Sequence, residues 1–145
     1  MTKKAKFEFL EHTADVYISA HGKTMEEAFE NAALATFEAM TDIDKVASKT
    51  EETVEVEGFD EKALLYNWLE ALLVKFETSG TFYSNFKITN LQQTDEGYEL
   101  KAKIQGEKLD PERHPSKVGV KAITYHRMEI EKKPDQVTVK FILDV

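Results

Sequence analysis

The sequence predicts an α+β fold, in which two main helices are packed between mostly antiparallel β-sheets. The order of the predicted elements carries this expectation: two strands, a helix, a strand, a second helix, and then strands over the remainder. The second helix is apolar nearly all round and needs cover on two sides, which two sheets around it would supply. Burial in a dimer interface is the alternative. At 145 residues, the chain is expected to form one domain over residues 1–145.

The first two predicted strands are separated by a break in their alternation. Phe7 to Leu10 is a short apolar strand, and Asp15 to Ala20 is a second one, with apolar residues at alternate positions. The apolar positions of the two segments do not share one parity, so a single unbroken strand would turn one set away from the core. A turn or bulge between Glu11 and Ala14 resolves the conflict, and bulges often re-aim a side chain toward a site.

Both helices have recognisable beginnings. Thr24, followed three residues later by Glu27, is a capping-box signature, and it predicts a helix from about Met25 to Met40. Asp60 can cap the second helix, which runs roughly from Glu61 to Thr78.

The remaining elements are short strands joined by polar turns. The predicted strands cover residues 53–57, 85–91, 98–105, 120–131 and 137–145. Residues 110–115 contain two prolines and read as an irregular loop. In the last strand, alternate residues from Val137 to Val145 are apolar, and Asp144 lies on the other face.

Composition excludes several classes of function. The chain has no cysteine, which rules out disulfides, thiolate metal sites and a cysteine nucleophile, and fits a cytoplasmic location. The formal net charge of −8 argues against general nucleic-acid binding, and no direct sequence-specific contact with nucleic acid is expected. The apolar run near the N-terminus is too short for a signal peptide or a membrane span. The six glycines are scattered, so no phosphate-binding loop is predicted.

Carboxylates at two predicted strand ends are the first candidate site. Asp15 begins one strand, and Asp144 is one residue from the α-carboxylate of Val145. If the two strands are neighbours, the three carboxylates converge and must share a proton or hold a cation. Oxygen ligands favour Ca²⁺ or Mg²⁺ over Zn²⁺. The alternative is two solvated aspartates that never meet, and spacing alone leaves it open.

Three histidines and one lysine are weaker candidates. His12, His114 and His126 could each serve as a general base or a metal ligand, but no metal-binding spacing connects them, and lone histidines are usually structural or exposed. Lys121 lies between apolar neighbours and could contact an anion, or it could be an ordinary residue on the solvent face of a strand. No Ser-His-Asp arrangement can be picked from the sequence, so no catalytic residue is assigned.

Five stretches carry a family resemblance when they are taken together. They are Glu11-His12-Thr13-Ala14-Asp15-Val16, Leu64-Leu65-Tyr66-Asn67-Trp68-Leu69-Glu70, Gly106-Glu107 with Asp110 and His114, Val120-Lys121-Ala122-Ile123-Thr124-Tyr125-His126, and Leu143-Asp144-Val145. In this order, and over essentially the whole chain, they resemble the archease family. The resemblance implies an α+β fold with helices packed between sheets.

The resemblance also implies a function that composition does not show. Archeases are protein cofactors of the RtcB-type RNA ligase, which joins tRNA halves after intron removal. They promote guanylylation of the ligase and its repeated turnover, and are not themselves enzymes. The family is also described as a chaperone-like modulator of a tRNA cytosine-5 methyltransferase, which is the alternative partner.

Site residues follow from the same resemblance. The family's metal site corresponds to Asp15, Asp144 and Val145, with Ca²⁺ as the ion usually assigned, although another divalent cation is compatible with these ligands. His12, His114, Lys121 and His126 lie in family motifs and are expected to be surface contacts to the ligase. A free-standing metal-dependent hydrolase is a third class, disfavoured because no nucleophile or substrate-binding motif accompanies the carboxylates.

Overall fold

The computed structural model describes residues 6–10 and 15–145. Its helices are α1 (Met25–Met40) and α2 (Glu61–Ser79), and a short 3₁₀ turn lies at Ile43–Lys45. Its strands are β1 (Phe7–Leu10), β2 (Val16–Gly22), β3 (Thr50–Gly58), β4 (Thr81–Thr94), β5 (Gly97–Lys108), β6 (Ala122–Lys133) and β7 (Gln136–Asp144). The predicted α+β class is confirmed. The turn predicted between Glu11 and Ala14 lies outside the described residues.

The strands form two antiparallel sheets. The first sheet has the order β1-β2-β7-β6, and the second has the order β3-β5-β4. Strand β7 is therefore an inner strand, and its neighbours β2 and β6 come from opposite halves of the chain. Strands β3, β4 and β5 are longer than predicted: the ladder of β3 with β5 continues into polar residues, and register shifts interrupt the alternation of β4.

The helix ends follow the predicted capping chemistry. The backbone N–H of Glu27 donates to the Thr24 hydroxyl at 3.1 Å, and the Glu27 carboxylate accepts from the backbone N–H of Lys23 at 2.7 Å. At α2, the Asp60 carboxylate accepts from the backbone N–H of Ala63 at 2.8 Å. Gly80 ends α2 in the left-handed conformation, with φ of 67°, which a residue with a side chain adopts only at a cost.

Both helices are packed between the two sheets. The apolar residues of α2 that are completely buried are Leu64, Leu65, Trp68, Leu69 and Leu72. The indole N–H of Trp68 donates to the carbonyl of Phe29 at 2.9 Å, which ties α2 to α1 inside this core. The cover for α2 thus comes from within the chain, and the dimer-interface alternative is not needed. Neither helix in the described residues is long and apolar enough to cross a membrane.

Candidate functional site

Three chain segments meet at one end of the first sheet. Val16 lies opposite Leu143 in the antiparallel ladder between β2 and β7. Asp15 precedes Val16 and Asp144 follows Leu143, so the two aspartates are the chain neighbours of this last pair. On the other side of β7, Asp144 lies opposite Ala122, and its carbonyl accepts from the backbone N–H of Lys121 at 2.7 Å. Two of the predicted metal ligands and one predicted contact residue therefore belong to adjacent strand ends.

The face of the sheet on which Asp144 lies follows from its place in β7. Side chains alternate along a strand, so Asp144 shares the face of Ile142, which is opposite Tyr17 in β2. Asp144 is exposed and Asp15 is half-buried. Carboxylate oxygens are the ligands that Ca²⁺ and Mg²⁺ prefer, so the chemistry of these side chains is compatible with a shared divalent cation.

The predicted ligand set also includes a group that is not a side chain. No group of three or more His, Asp or Glu side chains in residues 6–10 and 15–145 is arranged to hold a metal ion. Asp15 and Asp144 supply only two such side chains, and the third predicted donor is the α-carboxylate of Val145. His12, from the same sequence motif as Asp15, lies outside the described residues. The chemistry of the donor set fits an oxygen-bound cation.

A wide bulge in β6 borders this end of the sheet, and the sequence analysis missed it. Four residues, 125–128, lie between the paired positions Thr124 and Glu129, where β7 has only one residue. Arg127 has φ of 58°, a left-handed conformation that costs about 1 kcal/mol for a residue with a side chain. Its guanidinium lies 5.8 Å from the centre of the Tyr17 ring, and a cation–π contact offsets part of this cost.

A signal for the bulge was present in the sequence. Ile123 and Met128 are both apolar and five positions apart, so an unbroken strand would place them on opposite faces. In the structure both are buried. This is the same kind of parity break that indicated a turn before Asp15. Bulges change the direction of side chains, and here the bulge places the Arg127 side chain over Tyr17 of β2. Tyr17 is two residues from Asp15.

The four predicted partner contacts have different environments. Lys121 and His126 are exposed, as surface contacts must be. His12 lies outside the described residues. His114 is buried, with 3% of its surface exposed, so its prediction as a surface contact is wrong. The reason is that its imidazole fills the space under the loop after β5 and is hydrogen-bonded at both ring nitrogens.

His114 instead belongs to a buried polar cluster centred on Glu107. The Glu107 carboxylate accepts from the backbone N–H of Ala47 at 2.8 Å, contacts His114 Nε2 at 2.9 Å and pairs with Arg113. The backbone N–H of Asp110 donates to His114 Nδ1 at 2.8 Å, so Nε2 carries the proton of a neutral ring. The hydrogen bond from Ala47, followed by those from His114 and Arg113, lowers the pKa of Glu107 to about 2. The cluster fixes the loop that begins at Asp110.

Comparison with known proteins identifies relatives over nearly the whole chain. Residues 7–145 match the Archease protein family. The "Protein archease" of Pyrococcus abyssi is 50% identical over 130 residues, which cover 90% of this chain and 91% of the relative. The "Protein archease" of Sulfurisphaera tokodaii is 44% identical over 140 residues, which cover 97% of this chain and 99% of the relative.

Two solved structures share the fold. The solution structure of a Methanobacterium thermoautotrophicum protein superposes with a TM-score of 0.83 at 39% identity, covering 97% of this chain and 99% of that one. The crystal structure of a Thermotoga maritima protein, described as an archease and possible chaperone, has a TM-score of 0.63 at 18% identity. That superposition covers 100% of this chain and 98% of the Thermotoga chain, and at this identity it supports the fold alone.

Proposed function

This chain belongs to the archease family, and from this premise we propose that it is a protein cofactor of an RtcB-type RNA ligase acting in tRNA splicing. Its role would be to promote guanylylation of the ligase and so to support repeated turnover. The bond-forming chemistry belongs to the ligase in this proposal, and the chain acts in the cytoplasm as an activator without catalysis of its own.

One observation supports the site through which it would act. The ladder of β2 with β7 ends at the pair of Val16 with Leu143, and Asp15 and Asp144 are the chain neighbours of that pair, which supports a shared site. In the proposal these two carboxylates, with the α-carboxylate of Val145, hold Ca²⁺ or another divalent cation. The bound ion would supply positive charge and coordination positions for oxygen ligands of the partner.

Exposed residues around this edge would contact the ligase. The backbone N–H of Lys121 donates to the carbonyl of Asp144, and the Lys121 side chain is exposed. This side chain would therefore lie beside the proposed ion. His126 is exposed in the β6 bulge that carries Arg127 back over β2. These residues would orient the proposed metal-binding end of the first sheet toward the active centre of the ligase.

The test is single-turnover guanylylation of the cognate ligase in the presence of wild-type, Asp15→Ala or Asp144→Ala protein. We expect each variant to lose activation by about tenfold or more, as for other disrupted metal sites. Asp135→Ala is the matched control, because this exposed aspartate precedes β7 at its opposite end. Full activation by both folded site variants would refute the role of the site.

A pull-down from native cells separates this function from the alternative one. Recovery of the ligase, with loss of binding in the Asp144→Ala variant, supports the proposal. Recovery of a tRNA cytosine-5 methyltransferase, together with a change in its site selectivity and no effect on the ligase, would support the chaperone-like role instead.

A further inference from the structure

A second surface of the molecule exposes aromatic rings at a cavity. Phe59 is 77% exposed and Tyr125 is 51% exposed. Both line a cavity of about 500 Å³ between the start of α2, the β4–β5 turn and the β6 bulge. Large apolar side chains grouped in this way at a cavity are typical of interaction sites. This cavity is separate from the set of predicted metal ligands.

The exposure of Phe59 is fixed by the backbone around it. A Cβ atom added to Gly58 would lie 2.4 Å from the backbone nitrogen of Leu64 in α2. A Cβ atom added to Gly97 would lie 2.3 Å from the carbonyl oxygen of Gly58, and Gly97 also has φ of +146°. Strand β3 is thus held between α2 and the β4–β5 turn by backbone contacts on both sides. Phe59 directly follows this tightly packed strand, and its ring is exposed to solvent.

The second exposed ring, that of Tyr125, packs against helix α2. Tyr125 stacks on Tyr66 of α2, with ring centres 4.4 Å apart and an interplanar angle of 6°. The bulge in β6 brings Tyr125 into this position, because it releases residues 125–128 from the ladder with β7. Both exposed aromatic rings at the cavity are therefore positioned by packed elements, and a ligand would bind without ordering a loop first.

The charge around the rings determines what kind of ligand fits. Glu57, Glu96 and Glu99 line the cavity, and Glu57 lies directly opposite Glu99 in the β3–β5 ladder. Like charges in this position are destabilising unless a cation lies between them. Among residues 6–10 and 15–145, no Lys, Arg or His pairs with these three carboxylates.

The basic residue Lys132 of β6 is engaged by a carboxylate that does not line the cavity. Lys132 donates to the Glu61 carboxylate at 2.5 Å. Burial first, and then the charges of Asp60, Tyr66 and Glu70, raise the pKa of the Tyr125 phenol. The cavity therefore combines aromatic faces with unneutralised carboxylates.

We propose that this cavity binds an arginine side chain of a partner protein. A guanidinium group stacks on aromatic faces, and its forked N–H groups match carboxylate oxygens. A lysine ammonium is more strongly hydrated and lacks the planar face, so it fits less well. A nucleic acid is excluded by the sign of the charge. This proposal concerns a surface other than the proposed metal-binding end of the first sheet, and so it goes beyond ligase activation through that end. Its test requires neither metal nor ligase.

The test is an NMR titration of the ¹⁵N-labelled protein with an acetylated and amidated Gly-Arg-Gly peptide. We expect saturable shifts of the backbone amides of residues 57–60 and 96–99, with a dissociation constant in the millimolar range. The same peptide with citrulline in place of arginine has nearly the same shape without the charge, and should cause no saturable shift. The lysine peptide should bind more weakly than the arginine peptide.

Two variants and two controls make the result specific. Phe59→Ala and Glu96→Gln should each weaken binding of the arginine peptide by about fivefold, in line with one cation–π contact or one charge pair. Phe9→Ala removes an equally aromatic exposed side chain from β1, and Glu77→Gln neutralises an exposed carboxylate on α2; neither should change binding. Equal binding of the citrulline peptide, unchanged binding by both cavity variants, or no saturable shift in the wild type would overturn the proposal.

Discussion

Val16 of β2 lies directly opposite Leu143 of β7, and this pair determines which residues meet at the edge of the first sheet. Asp15 and Asp144 are the next residues of the chain beyond this pair. In the proposed site these two carboxylates bind a divalent cation, and the first prediction tests that binding.

Calcium should stabilise the folded protein through Asp15 and Asp144. At a Ca²⁺ concentration about 100-fold above the dissociation constant, the free energy of unfolding should rise by about 2.7 kcal/mol. For a chain of this size, that corresponds to an increase in melting temperature of about 5–10 °C. Asp144→Asn should abolish the increase, whereas Asp135→Asn should retain it. A calcium-dependent shift of equal size in Asp144→Asn would contradict the prediction.

The α-carboxylate of Val145 can be tested without changing any side chain. Adding one glycine after Val145 moves the terminal carboxylate by about 3.8 Å along the chain. We expect the calcium-dependent rise in melting temperature to fall markedly, while the melting temperature without calcium stays the same. An undiminished rise would mean that the terminal carboxylate is not a ligand.

Glu107 should make stability depend on pH in the acidic range. Its pKa is about 2 in the folded protein, against an ordinary value of 4.5. Because the folded-state pKa is the lower one, the unfolded chain binds more protons between these values. The stabilisation, about 3 kcal/mol, is therefore complete above about pH 5 and is lost as the pH falls toward 2. Urea unfolding from pH 2.5 to 6 measures this slope.

The matched variants for this measurement are Glu107→Gln and Glu112→Gln. The first should lower the free energy of unfolding at pH 6 and flatten its dependence on pH. The second neutralises an exposed carboxylate in the same loop and should leave both properties nearly unchanged. If the free energy of unfolding depended equally on pH in wild type and Glu107→Gln, a group other than Glu107 would be responsible for the acid sensitivity.

Two glycine substitutions should have opposite outcomes. A Cβ atom at Gly106 would lie 1.9 Å from the carbonyl oxygen of Phe82 on the neighbouring strand, so Gly106→Ala must displace β4 or β5. We expect a loss of about 3 kcal/mol in the free energy of unfolding. Nothing lies within 4 Å of the same position at Gly119, and Gly119→Ala should change stability by less than about 0.5 kcal/mol. Equal melting temperatures for the two variants would contradict this account.

The helices could be predicted closely because their boundaries are encoded locally. The predicted limits Met25 to Met40 agree with α1, since the capping pair of Thr24 and Glu27 lies within one helical turn. Strand β4 was predicted at residues 85–91 but runs from Thr81 to Thr94. Register shifts after Tyr83 and after Ile88 break its alternation, so the apolar pattern shows only its middle part.

The functional surfaces depend on contacts that a sequence pattern does not contain. Alternation placed Asp144 on the polar face of its strand, but it could not show that β2 and β7 are neighbours. His114 looked like any other polar loop residue, because its burial depends on Glu107 and on the backbone of Asp110. Phe59 looked like an ordinary residue before a helix, and its exposure depends on two glycine crossings between distant segments.

The inner position of β7 has a consequence for how the protein is made. Strands β3, β4 and β5 with helix α2 form a continuous segment from Thr50 to Lys108, so the second sheet can assemble while later residues are still on the ribosome. The first sheet cannot assemble in this way, because β2 pairs with β7, which is synthesised more than a hundred residues later. His21 of β2, for example, contacts Thr138 of β7 across 117 positions. Closing such a long loop is slow. Until β7 emerges, the nascent chain carries an open inner edge on β2, which makes this half of the molecule the one most exposed to misassembly during synthesis.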